Sequence, residues 1–296
     1  MESLIKTKSY FLFILISSII LSSCEDPIEI DLQTGKGELC VDAMLTNDPG
    51  KQIIKLRITD NYFKQGLPPA KGAEVKVIDF LGRVFQFTDS DNNGDYEWVP
   101  GPSDIFPFGI MGNAYVLNIK FEGQEYEAFS VMDSIQPIDS LFYEFREQEI
   151  VAGDTIKEGY VLNMFAKDKK GKANAYWFKS YRNGKFFSKP GDMNLAYDAA
   201  FGPGSDGVQF ITPIIFNLSP ERFSLNDTAL VEIYSIGLPT FYYMSLAQQQ
   251  MTNTGLFATP ATNVPTNIQN KNKDSKIKAV GWFCTASITR KGVKIK

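Results

Sequence analysis

From Glu38 onward, apolar and polar positions alternate with a period of two, in short runs separated by turn-forming residues. That is the pattern of half-buried β-strands. Leu39 to Thr46 leads into a turn at Asn47, Asp48, Pro49 and Gly50, and Gln52 to Thr59 then sets Ile54, Leu56 and Ile58 against polar neighbours. Beyond a loop at Pro68 and Pro69, the same pattern predicts strands over Ala73 to Asp79, Val84 to Thr88, Tyr96 to Val99, Ala114 to Phe121 and Tyr126 to Val131. A Pro- and Gly-rich loop spans Pro100 to Gly112. This density of short strands predicts an immunoglobulin-like sandwich over residues 38–133.

Ser134 to Asp139, with Pro137 inside it, is the expected boundary. After it, strands are predicted at Ser140 to Arg146, Tyr160 to Lys167, Ala175 to Arg182, Thr228 to Ile236 and Ala279 to Ile288. Asn183 and Gly184 supply a hairpin turn, since that pair readily takes positive φ. Lys189 to Gly207 is irregular and glycine-rich, a candidate binding loop or a plain surface excursion. Leu238 to Asn253 is the one good helical segment, with Pro239 early in it and Phe241, Met244, Leu246 and Ala247 as its apolar stripe. The expectation for residues 134–296 is therefore a β-rich domain with one packed helix near 239–252, and for the whole chain a mainly β fold.

The N-terminus follows different rules. Lys6 and Lys8 precede the apolar run Tyr10 to Leu21, which is too short for the roughly 20 residues of a spanning helix and matches a secretory signal. The run closes on Leu21, Ser22, Ser23 and Cys24, a lipobox in which the cysteine is acylated and becomes the new N-terminus. Residues 1–23 are thus expected to be a lipoprotein signal peptide, with 24–37 a lipidated tether. Several acyl chains, at about 0.8 kcal/mol per buried methylene, hold such a protein on a bilayer durably.

Composition narrows the chemistry. The chain has 30 basic and 34 acidic residues, net −4, and loss of Lys6, Lys8 and Glu2 with the leader leaves 28 against 33, net −5. No pool of positive charge exists to offset phosphates, so nucleic acid is not an expected partner. Histidine is absent from the sequence. That excludes a histidine base, a Ser/His/Asp triad and metal sites built on imidazole. Beyond Cys24 only Cys40 and Cys284 remain, which read as two buried thiols or, in an oxidising compartment, as a disulfide joining the ends of the fold.

One segment imitates a metal loop. Asp89, Asp91, Asn93 and Asp95 stand at alternate positions around Gly94, as in a calcium loop, but the twelfth position is Pro100 where a bidentate glutamate is required. An Asx-rich hairpin turn explains the same residues and is the favoured reading, with a weak calcium site as the alternative. No P-loop, dinucleotide fingerprint or nucleophile elbow is present, and no sequence argument brings two carboxylates together as a glycosidase needs. Aromatic clusters occur at Tyr176, Trp177 and Phe178, at Phe186 and Phe187, and at Phe241, Tyr242 and Tyr243. Neighbours on a strand point to opposite faces, so each cluster is expected to place at least one ring outside its core or at an interface.

The lipobox with Glu25 and Asp26 directly behind it resembles the acidic surface-export signal of Bacteroidota lipoproteins. In chain order, the segments ELCVDAMLTN at Glu38 to Asn47, GAEVKV at Gly72 to Val77, IDSL at Ile138 to Leu141, the Ala175 to Gly184 hairpin, the strand and helix from Val231 to Gln250, NVPTNI at Asn263 to Ile268, and Val280 to Ala286 resemble the Bacteroidota lipoprotein family catalogued as domain of unknown function 4249. The resemblance implies a lipid-anchored subunit facing the extracellular side of the outer membrane and associated with a β-barrel, such as a TonB-dependent receptor. It carries over no catalytic residue, and Cys40 and Cys284 depart from the aliphatic or small residues usual at those places.

The expected function is a non-enzymatic accessory subunit that helps its barrel partner capture or import a ligand, with no cofactor beyond the lipid on Cys24. The alternatives are a structural subunit of an outer-membrane biogenesis or secretion machine and, third, a hydrolase using carboxylates.

Overall fold

The structure is a computed structural model that describes residues 37–296 except 61–65, 103–107, 152–153, 172–173, 198–203, 205, 212–213, 254–257 and 259–261. Gly37–Lys296 forms one compact unit. The signal peptide and all but the last residue of the tether lie outside the described residues.

The first half supplies β1 (Leu39–Thr46), β2 (Gln52–Ile58), β3 (Glu74–Asp79), β4 (Val84–Phe87), β5 (Asp95–Trp98), β6 (Ala114–Phe121) and β7 (Gln124–Val131). The alternation read from the sequence is the alternation of burial: Leu39, Val41, Ala43 and Leu45 point inward from β1, and Ile54 and Leu56 from β2. They meet Val75, Val77, Tyr115, Leu117 and Ile119 of the opposing sheet in one core. Phe108 closes an end of that core, 4.9 Å from Phe85 and 5.1 Å from Tyr115 between ring centroids. The architecture is a β-sandwich.

The second half adds β8 (Ile138–Arg146), β9 (Glu149–Val151), β10 (Asp154–Ile156), β11 (Gly159–Ala166), β12 (Ala175–Arg182), β13 (Lys185–Phe186), β14 (Asn194–Tyr197), β15 (Thr228–Ser235), α1 (Gly237–Thr252), β16 (Gln269–Asn270) and β17 (Ala279–Lys294). Asn183 and Gly184 have φ of 52° and 78°, so the β12–β13 turn is the tight hairpin their identities predict. The stretch from Lys189 to Gly207 is less irregular than expected, because it contains β14, which pairs along Ala175–Phe178.

The main departure from the sequence reading is β17. Its first eight residues run parallel to β1, Leu39 beside Ala279 through Thr46 beside Ala286, and its last eight run antiparallel to β15, Ser287 beside Ser235 through Lys294 beside Thr228. One strand therefore belongs to both halves. It produces a sheet in the order β13-β12-β15-β17-β1-β2-β5, while β16-β7-β6-β3-β4 forms the other face of the sandwich. A cut at Ser134 to Asp139 separates most of two hydrophobic cores, but Ile268, Ala279 and Phe283 from the far end of the chain sit in the first. Alternation within a strand reports which face is buried, not which distant strand lies beside it.

Gly281 is what lets the parallel pair form. Its φ is +96°, and a Cβ there would stand 2.0 Å from the Val41 carbonyl oxygen. Helix α1 covers the outer face of the same sheet: the Trp282 indole N–H donates to Thr240 Oγ1 at 3.0 Å, and the Tyr243 ring stacks on Trp282 at 4.7 Å. The inward side of the helix is Thr240 and Met244, flanked by half-buried Phe241 and Tyr243, whereas Leu246, expected in the stripe, is 40% exposed. The helix rests on aromatic rings and a hydroxyl pairing, and a hydrophobicity pattern misses both.

Candidate functional site

The outer face of the large sheet carries the most unusual side-chain arrangement of the described residues. Along β12 the alternation sends Tyr176 and Phe178 into the second core and Trp177, Lys179 and Tyr181 to the opposite face. Register then places Lys179 beside Glu232 on β15, and Glu232 beside Arg290 on β17. Arg290 continues the row to Asp48, with Nη2 2.6 Å from Oδ2. Four charges of alternating sign thus cross the sheet.

Lys179 is held by rings rather than by ions. Its Nζ lies 3.8 Å from the Trp177 ring centroid, 4.1 Å from that of Tyr234 and 5.6 Å from that of Phe186. Each such contact is worth about 0.5–2 kcal/mol for a charged amine, depending on desolvation. Glu232 spends its oxygens elsewhere: Oε2 accepts from the Tyr181 hydroxyl at 2.8 Å and the Tyr234 hydroxyl at 2.9 Å, and Oε1 is 3.3 Å from Arg290 Nε. The Trp177 indole N–H is buried with no acceptor among the described residues.

Burial pushes the Lys179 amine down to about 8, against the opposing pull of Glu232 and Asp42. Burial likewise raises the Tyr181 and Tyr234 hydroxyls, with the Glu232 carboxylate reinforcing the effect in both. The sequence reading passed over Lys179. Its signal was a lysine in mid-strand with an aromatic two positions away on either side, in the Trp177, Lys179, Tyr181 series.

Two clefts flank Arg222. One, of about 330 Å³, is lined by Asp192, Asn217, Ser219, Glu221 and Arg222 among others, and a smaller one of about 90 Å³ by Glu144, Arg146, Glu149 and Arg222. Their glutamates are paired: Glu221 with Arg182 at 2.7 Å and Lys189 at 3.2 Å, Glu144 with Arg146, and Glu149 with Arg222. The hydrogen bond from Lys189 holds the Glu221 carboxyl below its usual range. A glycosidase acid needs the opposite shift.

Of the residues singled out in the sequence, Cys24, Glu25 and Asp26 lie outside the described residues. The Asp89 to Asp95 segment is bonded to itself. Asp89 accepts from the Asn93 and Gly94 amides at 3.1 and 2.9 Å, Asn93 Nδ2 donates to Asp91 at 2.8 Å, and Asp95 pairs with Arg57 at 2.5 Å. Gly94 has φ of +82°, which the turn requires. No grouping of three or more His, Cys, Asp or Glu able to hold a metal occurs among the described residues. Cys40 and Cys284 are free thiols on neighbouring strands, Cys40 beside Val280 and Cys284 beside Met44. Four residues of strand separate them, roughly 13 Å, beyond disulfide reach. In the aromatic clusters, Tyr176, Phe178 and Phe187 pack in or against the second core, Trp177, Phe241 and Tyr243 pack against a third cluster with Phe186 beside Trp177, and Tyr242 is 55% exposed.

The fold and site define a β-sandwich protein with an aromatic- and charge-lined outer sheet face, covered in part by a single helix. A family profile described as "Domain of unknown function (DUF4249)" matches residues 25–292, and the chain belongs to that family. No match was found among curated proteins. Among solved structures, the chain is similar to the crystal structure of chicken CNTN1 FN1-FN3 domains, at 9% identity and a TM-score of 0.23 over 70% of this chain; the match spans 64% of that chain.

Proposed function

We propose that the protein is a non-enzymatic, lipid-anchored subunit of the outer membrane, facing outward and docking on a β-barrel partner such as a TonB-dependent receptor, whose ligand it helps to capture or admit. The observation that carries this reading is the lipobox ending at Cys24, set directly ahead of Glu25, where the family match begins. The folded unit starts at Gly37, so residues 24–36 tether it within about 45 Å of the acylated end, from the reach of an extended chain. No described helix is long and apolar enough to cross a membrane, and anchoring by lipid needs none. The ion pairs of Glu144, Glu149 and Glu221 in the two clefts favour binding over acid catalysis.

Purification through a C-terminal tag in mild detergent tests this. Co-purification of an outer-membrane barrel is the expected result, and recovery of the protein alone overturns it. Depletion of the protein separates uptake from biogenesis: loss of growth on one nutrient belongs to uptake, whereas loss of many surface proteins belongs to an assembly or secretion machine.

A further inference from the structure

We propose that the outward face of β8 and β11, together with the clefts beside Arg222, binds a neutral oligosaccharide. The site gives a ligand class to the capture role, but it stands on the folded body alone and holds or fails apart from the anchor and the barrel partner.

β8 and β11 pair antiparallel and turn Leu141, Leu162 and Met164 into the second core. By alternation, the opposite face carries Phe142 and Glu144 from β8 and Val161, Asn163 and Phe165 from β11. Phe142 and Phe165 are 39% and 47% exposed with ring centroids 5.2 Å apart, so they form one apolar patch in the open. Register sets Asn163 directly beside Phe142, and the patch leads into the smaller cleft, where Glu144, Asn163 and Arg222 are lining groups.

The polar groups there are held but not saturated. The Asn163 amide has no hydrogen bond among the described residues. Glu144 gives Oε1 to Arg146, 2.7 Å from Nε, and keeps Oε2 open. Arg222 pairs with Glu149 through Nη2, and its Nε is buried with no acceptor among the described residues, which leaves a donor for a water or ligand oxygen. In the larger cleft, Ser219 Oγ accepts from the Leu162 N–H at 2.8 Å and keeps its own proton to donate. Gln248 of α1 donates to the carbonyls of Pro190 and Met193 at 2.8 and 3.0 Å, fixing the turn that carries Asp192.

Charge selects the class of ligand. Glu144, Glu149 and Glu221 are each ion-paired, and the second cationic partner of Glu221 offsets Asp192. The clefts therefore carry no net charge with which to draw in an anion or a cation. A pyranose matches what they do offer: its apolar C–H face covers the phenyl patch, and its hydroxyls donate to carboxylate and amide oxygens while accepting from Arg222 and Asn163. The cleft of about 90 Å³ takes the hydroxyl edge of the sugar lying on the rings, and the cleft of about 330 Å³ across Arg222 has room for the next unit.

The test uses the full-length protein in a detergent without a sugar head group and saturation-transfer NMR from the aromatic protons, with maltotetraose, cellotetraose and xylotetraose as probes. Transfer to the ring C–H protons of at least one probe is expected at about 1 mM, and none from any of the three overturns the proposal. Binding is expected to be unchanged from about 0.05 to 0.5 M salt, since a neutral ligand has no charge to screen. Tetragalacturonate, an acidic probe, binding better and weakening with salt overturns the neutral class. Phe142→Ala and Phe165→Ala, at exposed positions, and Asn163→Ala are each expected to weaken binding about tenfold with urea unfolding unchanged. Phe129→Ala, at an exposed phenylalanine of β7, is the control, and an equal loss there overturns the site. Loss of a barrel partner from Phe142→Ala with sugar binding intact makes the face a protein interface and also overturns it. Sugar binding without a co-purified barrel leaves the site standing and counts only against docking.

Discussion

Replacing Gly281 with alanine tests the join between the two halves of the fold. At φ of +96° an alanine is strained by about 1–3 kcal/mol before any contact is considered. Its Cβ would also sit 2.0 Å from the Val41 oxygen and 2.8 Å from the Val41 carbon and nitrogen, all backbone atoms that no side-chain rotation can clear. Relief requires β17 to move away from β1 at the Val41–Gly281 pair, weakening two ladder hydrogen bonds at about 1 kcal/mol each. The expected loss is about 3–5 kcal/mol, a large share of the 5–15 kcal/mol that ordinary domains possess. Urea unfolding followed by tryptophan fluorescence reads it directly, since Trp282 is the next residue. Gly292→Ala is the control, because its Cβ would meet nothing closer than 3.4 Å and its φ is not positive; that change is expected to stay within about 1 kcal/mol. If Gly281→Ala costs no more than Gly292→Ala, the parallel pairing of β1 with β17 is wrong.

Other consequences follow from the buried groups. Cys284 is fully buried, which pushes its thiol up to about 12, and burial raises Cys40 as well. Of the two thiols expected to be buried only Cys284 is, so Ellman's reagent is expected to reach half-buried Cys40 in the folded protein and Cys284 only after unfolding, and a count of zero in denaturant without reductant would mean a disulfide. Lys179 gives a pH-dependent term of definite sign. Below about pH 8 it is protonated in both states and its burial cost is fully felt; between about 8 and 10.4 the folded protein releases the proton while the unfolded chain retains it, so stability rises. Relative to Lys179→Met, the wild type is expected to gain about 1–2 kcal/mol over that range, after discounting for partial exposure. Comparing the two proteins cancels the opposing titration of the thiols and tyrosines, and a pH-independent difference would refute the assignment.

How far the sequence could be read follows from the range of its signals. Period-two alternation in Leu39 to Thr46 or Ala175 to Arg182 is local, and those strands begin and end where the pattern says. The pairing of β1 with a strand some 240 residues away has no local signature, so β17 read as a ten-residue strand of the second half, not the 16-residue strand that closes both. β14 was hidden because glycines and prolines surround a four-residue strand whose partner, β12, supplies the order. The row from Lys179 to Asp48 depends on register between three strands and a loop. Only the aromatic spacing around Lys179 was visible in one dimension.

In the proposed function, a lipid on Cys24 places this body where it acts. Cys24→Ala, expressed at the native level with a C-terminal tag, tests it by fractionation. The expected result is a folded protein, with wild-type urea unfolding, recovered in the soluble fraction and without a barrel partner on purification. A Cys24→Ala protein that stays in the outer-membrane fraction with a partner bound would contradict anchoring by lipid, because the protein interface and not the lipid would then set its place.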